Sequence, residues 1–148
     1  MVSRPIFNEY NRVWAERVIG AKGRCGIDGF LGLVITEIEP GRITVEMEVT
    51  DQLVTVMGTM HGGCLSALTD HTLGTIMYPV MPDGSWAATT EFKINLLAPV
   101  TTGICTARGE IISMTKRQAV VRIEVENEDR LVAVAQGTCT IVAPKPPT

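Results

Sequence analysis

The feature that most constrains this chain is one uncharged helical stretch set among strand patterns. From residue 64 to residue 78 the sequence holds a single carboxylate, Asp70, and no Lys or Arg. Leu65, Leu68, Thr72 and Ile76 share one side of a helix, and Ala67, Asp70, Gly74 and Met77 share the neighbouring stripe. A helix so poor in charge has to be covered on most sides. Nearly everything around it alternates with the period of a strand. Ile43, Val45, Met47 and Val49 alternate with Thr44, Glu46 and Glu48, and Phe92, Ile94 and Leu96 alternate with Glu91, Lys93 and Asn95. Strands are expected over 31–38, 42–49, 86–97, 104–114, 117–126 and 131–142, with Pro40-Gly41 and 127–130 as tight turns. One helix and six antiparallel strands make an α+β fold whose sheet must curl round the helix. The sheet then has edges, and pairing with a second copy about a two-fold axis would protect them.

Residues 8–19 carry Tyr10, Val13, Trp14, Arg17 and Val18 at helical spacing, which predicts a short N-terminal helix. Glycines at 20, 23, 26, 29 and 32 then predict a mobile connector, and the Pro-rich tail a frayed end. The expected organisation is an N-terminal helix and connector (1–30), one main domain (31–143) and a tail (144–148). A chain of 148 residues can build its core without a disulfide or a metal. Its cysteines, at 25, 64, 105 and 139, form no C-x-x-C pair and read as reduced thiols. A net charge of -3 with 5% aromatic residues and no basic stripe argues against nucleic acid as a partner. With no apolar run of about 20 residues and no signal-like start, a cytoplasmic protein without a membrane partner is expected.

Three segments together resemble a known family. His61-Gly62-Gly63 precedes Asp70 by a fixed interval, 89–99 reads TTEFKINLLAP, and the apolar final strand carries Gln136-Gly137-Thr138. This combination resembles the PaaI-type thioesterases of the hotdog superfamily, over roughly residues 31–142. The resemblance implies a hotdog fold, a homodimer or dimer of dimers, acyl- or aryl-CoA as substrate, and no metal or other cofactor.

Thioester hydrolysis needs a group that activates water or attacks the carbonyl, and donors for the oxyanion that forms. Asp70 is the candidate for the first task, as general base or as nucleophile. Its small, apolar neighbours leave room for a ligand and should raise its pKa. The N–H groups of Gly62 and Gly63, unpaired at a positive helix N-terminus, are candidates for the second, with Gly63 the favoured donor. Gly63 and Asp70 are seven residues apart, or about 10 Å along a helix, so one carbonyl cannot reach both within one chain. A composite site between two copies is therefore expected.

His61 is a candidate for positioning the thioester, though a structural role is the plainer reading, and His71 reads as packing or interface. The resemblance implies a small hydroxyl at Thr89 to hold the attacking water. It also implies an amide side chain where this sequence has Thr55. Lys116 and Arg117, in a turn between strands, suit the phosphates of CoA. Met57, Met60, Met77, Met81 and Tyr78 are candidates for the acyl pocket. A Cys64–His61 nucleophile pair lacks a third residue to orient the His, and two histidines ten apart make no zinc site. The competing functions are a hotdog enoyl- or hydroxyacyl-CoA hydratase, which would want a His–carboxylate dyad, and a non-catalytic acyl-CoA-binding protein.

Overall fold

The computed structural model describes residues 5–7, 9–21 and 26–144. Its elements are α1 (Arg12–Val18), α2 (Gly26–Leu31), β1 (Val34–Glu39), β2 (Arg42–Glu48), α3 (Gly62–Thr75), β3 (Trp86–Leu96), β4 (Ile104–Met114), β5 (Gln118–Asn127) and β6 (Arg130–Val142). The strands form one antiparallel sheet in the order β1-β2-β4-β5-β6-β3. The sheet curls round α3, which lies against β2 through β6.

The core follows from the two periodicities. Val45 and Met47 of β2, Val121, Ile123 and Val125 of β5, Leu68 and Leu73 of the central helix, and Ile76 at its C-cap are all fully buried. The intervening strand residues face water and are charged. Glu110 lies 3.3 Å from Arg42 and 3.6 Å from Arg122 on this outer face, in exposed pairs worth at most about 1 kcal/mol each. Thr69 and Thr72 are buried in α3 and donate their hydroxyls back to the carbonyls of Leu65 and Leu68, at 2.8 and 2.7 Å.

Two expectations need correction. The glycine-rich stretch is not irregular throughout, because 26–31 forms α2. Leu31 enters the core, and the Asp28 carboxylate lies 3.3 Å from His71 Nδ1. The methionines do not line one pocket. Met60, Met77 and Met81 are packed in the core, Met57 is exposed, and Tyr78 stacks on Trp14 with ring centroids 5.4 Å apart. Residues 22–25 of the connector and 145–148 of the tail lie outside the described residues, as does Asn8.

The remaining differences are small and have local causes. Helix α1 starts at Arg12 because Asn11 caps it, accepting from the Trp14 N–H at 2.9 Å. The central helix starts two residues earlier than the sequence pattern suggests, because His61 caps it in the same way.

The two sheet edges differ. The Gly20 N–H donates to the Ile35 carbonyl (2.8 Å) and Tyr10 Oη to that of Ile38 (3.0 Å), so the N-terminal segment meets β1. Strand β3 forms the other edge, 11 residues long, with Trp86, Leu96 and the adjoining Leu97 each about half exposed. No helix among the described residues is long and apolar enough to cross a membrane.

Candidate active site

The central helix carries candidate groups at its start and about two turns further on. At its start, His61 Nδ1 accepts from the Gly63 N–H at 2.9 Å. An accepting Nδ1 carries no proton, so the ring proton sits on Nε2. A Cβ added at Gly63 would lie 2.8 Å from that Nδ1, so glycine is what lets the imidazole close over the helix end. The favoured oxyanion donor of the sequence analysis is therefore already engaged. The Gly62 N–H, at the first helical position, donates to no group among the described residues. A Cβ at Gly62 would meet Leu96 of β3, which places this end of α3 beside the far end of the edge strand.

Thr55 sits before this motif in a tight turn. Its N–H donates to the Thr59 carbonyl at 2.7 Å, and its Oγ1 accepts from the Met57 N–H at 3.2 Å. That contact leaves the Thr55 hydroxyl proton available to a ligand. Cys64 is half-buried, and burial pushes its thiol above the ordinary range, which disfavours a thiolate nucleophile.

Asp70 lies two turns further on, on the exposed side of α3. The apolar enclosure expected from its neighbours is not supplied within one chain. Below it, β3 and β6 carry an irregularity that the sequence pattern did not reveal. Their register shifts between Thr89 and Glu91, so Thr90 is an extra residue in the ladder. Phe92, Ile94 and Leu96 pair with Gly137, Ala135 and Ala133 on the inner face. Strict alternation would continue through Thr90. The bulge instead turns Thr89 inward, opposite the buried Cys139, with Thr89 Oγ1 4.0 Å from Cys139 Sγ. Burial chiefly raises the Cys139 thiol pKa, the Thr89 hydrogen bond opposes this, and the charge of Asp70 adds to it. Thr89 is thus the side chain of β3 that meets Cys139.

Lys116 and Arg117 are exposed in the β4–β5 turn. The register aligns Ala119 of β5 with Cys139 and Thr89, so the turn lies two to three residues beyond that row, at the Thr89 end of the sheet. Lys116 also borders a groove of about 550 Å³ with Phe7, Met114 and Ile141. A second groove, of about 590 Å³, crosses the charged outer face at Arg42, Arg108 and Glu110. Neither groove includes Asp70. Within one chain, then, Asp70, Thr89, Lys116 and Arg117 group toward one end, and Thr55, His61, Gly62 and Gly63 toward the other. No group of three His, Cys, Asp or Glu among the described residues is placed to hold a metal ion.

One helix wrapped by a six-stranded antiparallel sheet, with His-Gly-Gly at its start and a carboxylate two turns on, defines a hotdog protein. The sequence matches the thioesterase superfamily over residues 57–134, more than half of the chain, and the chain belongs to that superfamily. It is a thioester hydrolase. It is 27% identical over 121 residues to 1,4-dihydroxy-2-naphthoyl-CoA hydrolase of Listeria monocytogenes, covering 81% of this chain and 97% of that one. Among solved structures it resembles the conserved protein PA5202 of Pseudomonas aeruginosa, with TM-score 0.77 and 28% identity over 86% of this chain and 98% of that one. It also resembles the PaaI protein of the phenylacetic acid degradation operon of E. coli, with TM-score 0.71 and 25% identity over 78% and 83% of the two chains.

Proposed function

We propose that this enzyme hydrolyses acyl- or aryl-CoA thioesters at a site shared between two copies of the chain. The observation that carries this reading is the separation of the two functional ends of α3. The free Gly62 N–H and the Asp70 carboxylate are eight residues apart, about 12 Å along the helix, which is too far for one carbonyl. A second copy pairing along the open β3 edge supplies the missing half, and it covers an edge that would otherwise invite promiscuous pairing. Aromatic acyl groups are favoured over others only by the likeness to the Listeria hydrolase.

In this reading Asp70 of one copy is the general base. It takes a proton from water held between it and Thr89. The water oxygen bonds to the thioester carbon, and the carbonyl oxygen, now negative, accepts from the Gly62 N–H of the other copy. The intermediate collapses with cleavage of the C–S bond, and Asp70 returns the proton to the leaving thiolate. Thr55 offers its hydroxyl proton to the carbonyl side, where relatives of this motif place an amide. His61 keeps the helix start closed by occupying Gly63, so that Gly62 presents the free donor. Lys116 and Arg117 meet the CoA phosphates. No metal or other cofactor takes part.

The test is free-thiol release from a panel of acyl- and aryl-CoA esters. Asp70→Asn should lower kcat at least about a hundredfold with folding and assembly intact. A variant at the wild-type rate overturns the assignment. Mixing Asp70→Asn with Gly62→Val, each inactive alone, tests the shared site. Random reassortment makes half of the dimers mixed, each with one intact site, so about a quarter of wild-type activity should return. No recovery from subunits that demonstrably exchange overturns the composite arrangement.

A further inference from the structure

Cys139 lies fully buried on β6 beneath the Asp70 end of α3, and the mechanism above does not use it. Its surroundings determine what its proton does. The Leu73 carbonyl is in the last turn of α3, where helical donors run out. The Met77 N–H, which would continue the helix to Leu73, donates to the Gly74 carbonyl instead, and the Ile76 N–H goes to Thr72 and Gly74. The Cys139 thiol fills the gap, with Sγ 3.3 Å from the Leu73 oxygen. A buried carbonyl left without a donor is costly, so this thiol proton is committed.

A thiol has one proton. With that proton on Leu73, the sulfur can only accept from Thr89, whose Oγ1 is 4.0 Å away across the β3–β6 ladder. The Thr89 O–H therefore points inward at sulfur, and its oxygen lone pairs are turned away from it. We propose that Cys139 is a positioning residue for hydrolysis: it makes Thr89 an acceptor for one proton of the attacking water, leaving Asp70 to take the other. Held by both protons, the water presents its own lone pair to the thioester carbon. The inference rests on the assignment of Asp70 and Thr89 under the proposed function. Without the sulfur, the Thr89 hydroxyl is free to donate to the Asp70 carboxylate and occupy the base. The burial that raises the thiol pKa keeps Cys139 protonated in this role.

The test is steady-state thiol release by the full-length enzyme, compared as a double-mutant cycle. Cys139→Ala should lower kcat about tenfold and leave KM within about twofold, because the loss is in the placement of water. Cys139→Ser, which keeps one donated proton and an acceptor, should stay within about threefold of wild type. On a Thr89→Val background, Cys139→Ala should cost less than about a further twofold, because the relay is already absent. Cys139→Val serves in place of Cys139→Ala if the smaller side chain prevents folding, with the same expectations. A folded, assembled Cys139→Ala at the wild-type kcat overturns the relay, as does an equal loss with and without Thr89. Wild-type rates in both Thr89→Val and Asp70→Asn would instead overturn the site assignment itself, and the relay with it.

Discussion

Gly137→Ala tests the packing that shapes the Asp70 end of the site. Gly137 is buried on β6 directly opposite Phe92, two residues from Cys139. An added Cβ would lie 2.5 Å from the Phe92 Cβ, 2.7 Å from the Glu91 carbonyl oxygen and 3.0 Å from Leu73 Cδ1. The leucine tip can swing aside, but the other two atoms are fixed to the β3 backbone at the bulge. Relief requires β3 to move away from β6 or α3 to lift, and either loosens a close-packed core. Overpacking of this kind costs about 1–3 kcal/mol, and two rigid neighbours put this case at the upper end, about 3 kcal/mol. For a domain of this size that is a fall in Tm of about 6–12 °C. Thermal and urea unfolding at one fixed protein concentration measure it, since assembly would otherwise shift the midpoint. Gly74→Ala is the control, because a Cβ there meets nothing within 4 Å in the chain. Replacing a helical glycine at an open position should add about 0.5–1 kcal/mol. A Gly137→Ala variant within about 0.5 kcal/mol of wild type would refute the close approach of β3, β6 and α3 at the bulge.

Two further expectations follow from the same structure. His61→Ala removes the acceptor for the Gly63 N–H and should cost about 1 kcal/mol, whereas His61→Asn, a good cap, should recover most of it in the same unfolding assay. Cys105 is fully buried, and burial raises its thiol from 9.0 to about 11. Since the unfolded thiol ionises first, the stability tied to the neutral form is complete below pH 9 and is lost as pH rises to about 11. The loss should reach about 3 kcal/mol in urea unfolding, and the slope across that window should be shallower in Cys105→Ala.

Much of this protein is legible in its residues alone. The uncharged run around Asp70 and the period-two segments on either side require one helix and six strands, because each pattern buries its apolar face only in that geometry. Pro40-Gly41 sets the first hairpin, and Gly41 takes the positive φ of 74° that the turn requires. The spacing of the His-Gly-Gly motif and Asp70 along one helix is also read without coordinates, and it is what the proposal of a site shared by two copies starts from.

What the sequence left open is where chain segments meet. The glycines before β1 do not reveal α2, because its hold comes from Leu31 in the core and Asp28 against His71, contacts distant in sequence. Nor do residue types tell which of Gly62 and Gly63 keeps a free N–H, since that depends on where the His61 ring swings. Alternation back from Phe92 points Thr90 inward, and only the β3–β6 ladder, with its one extra residue, turns Thr89 toward α3 instead. The same pairing brings Cys139 under a helix end that lacks a donor. A side-chain period is a property of one strand, but a bulge exists only between two. For that reason the helix and strands belong to the sequence, and the inward turn of Thr89 onto Cys139 belongs to the tertiary structure.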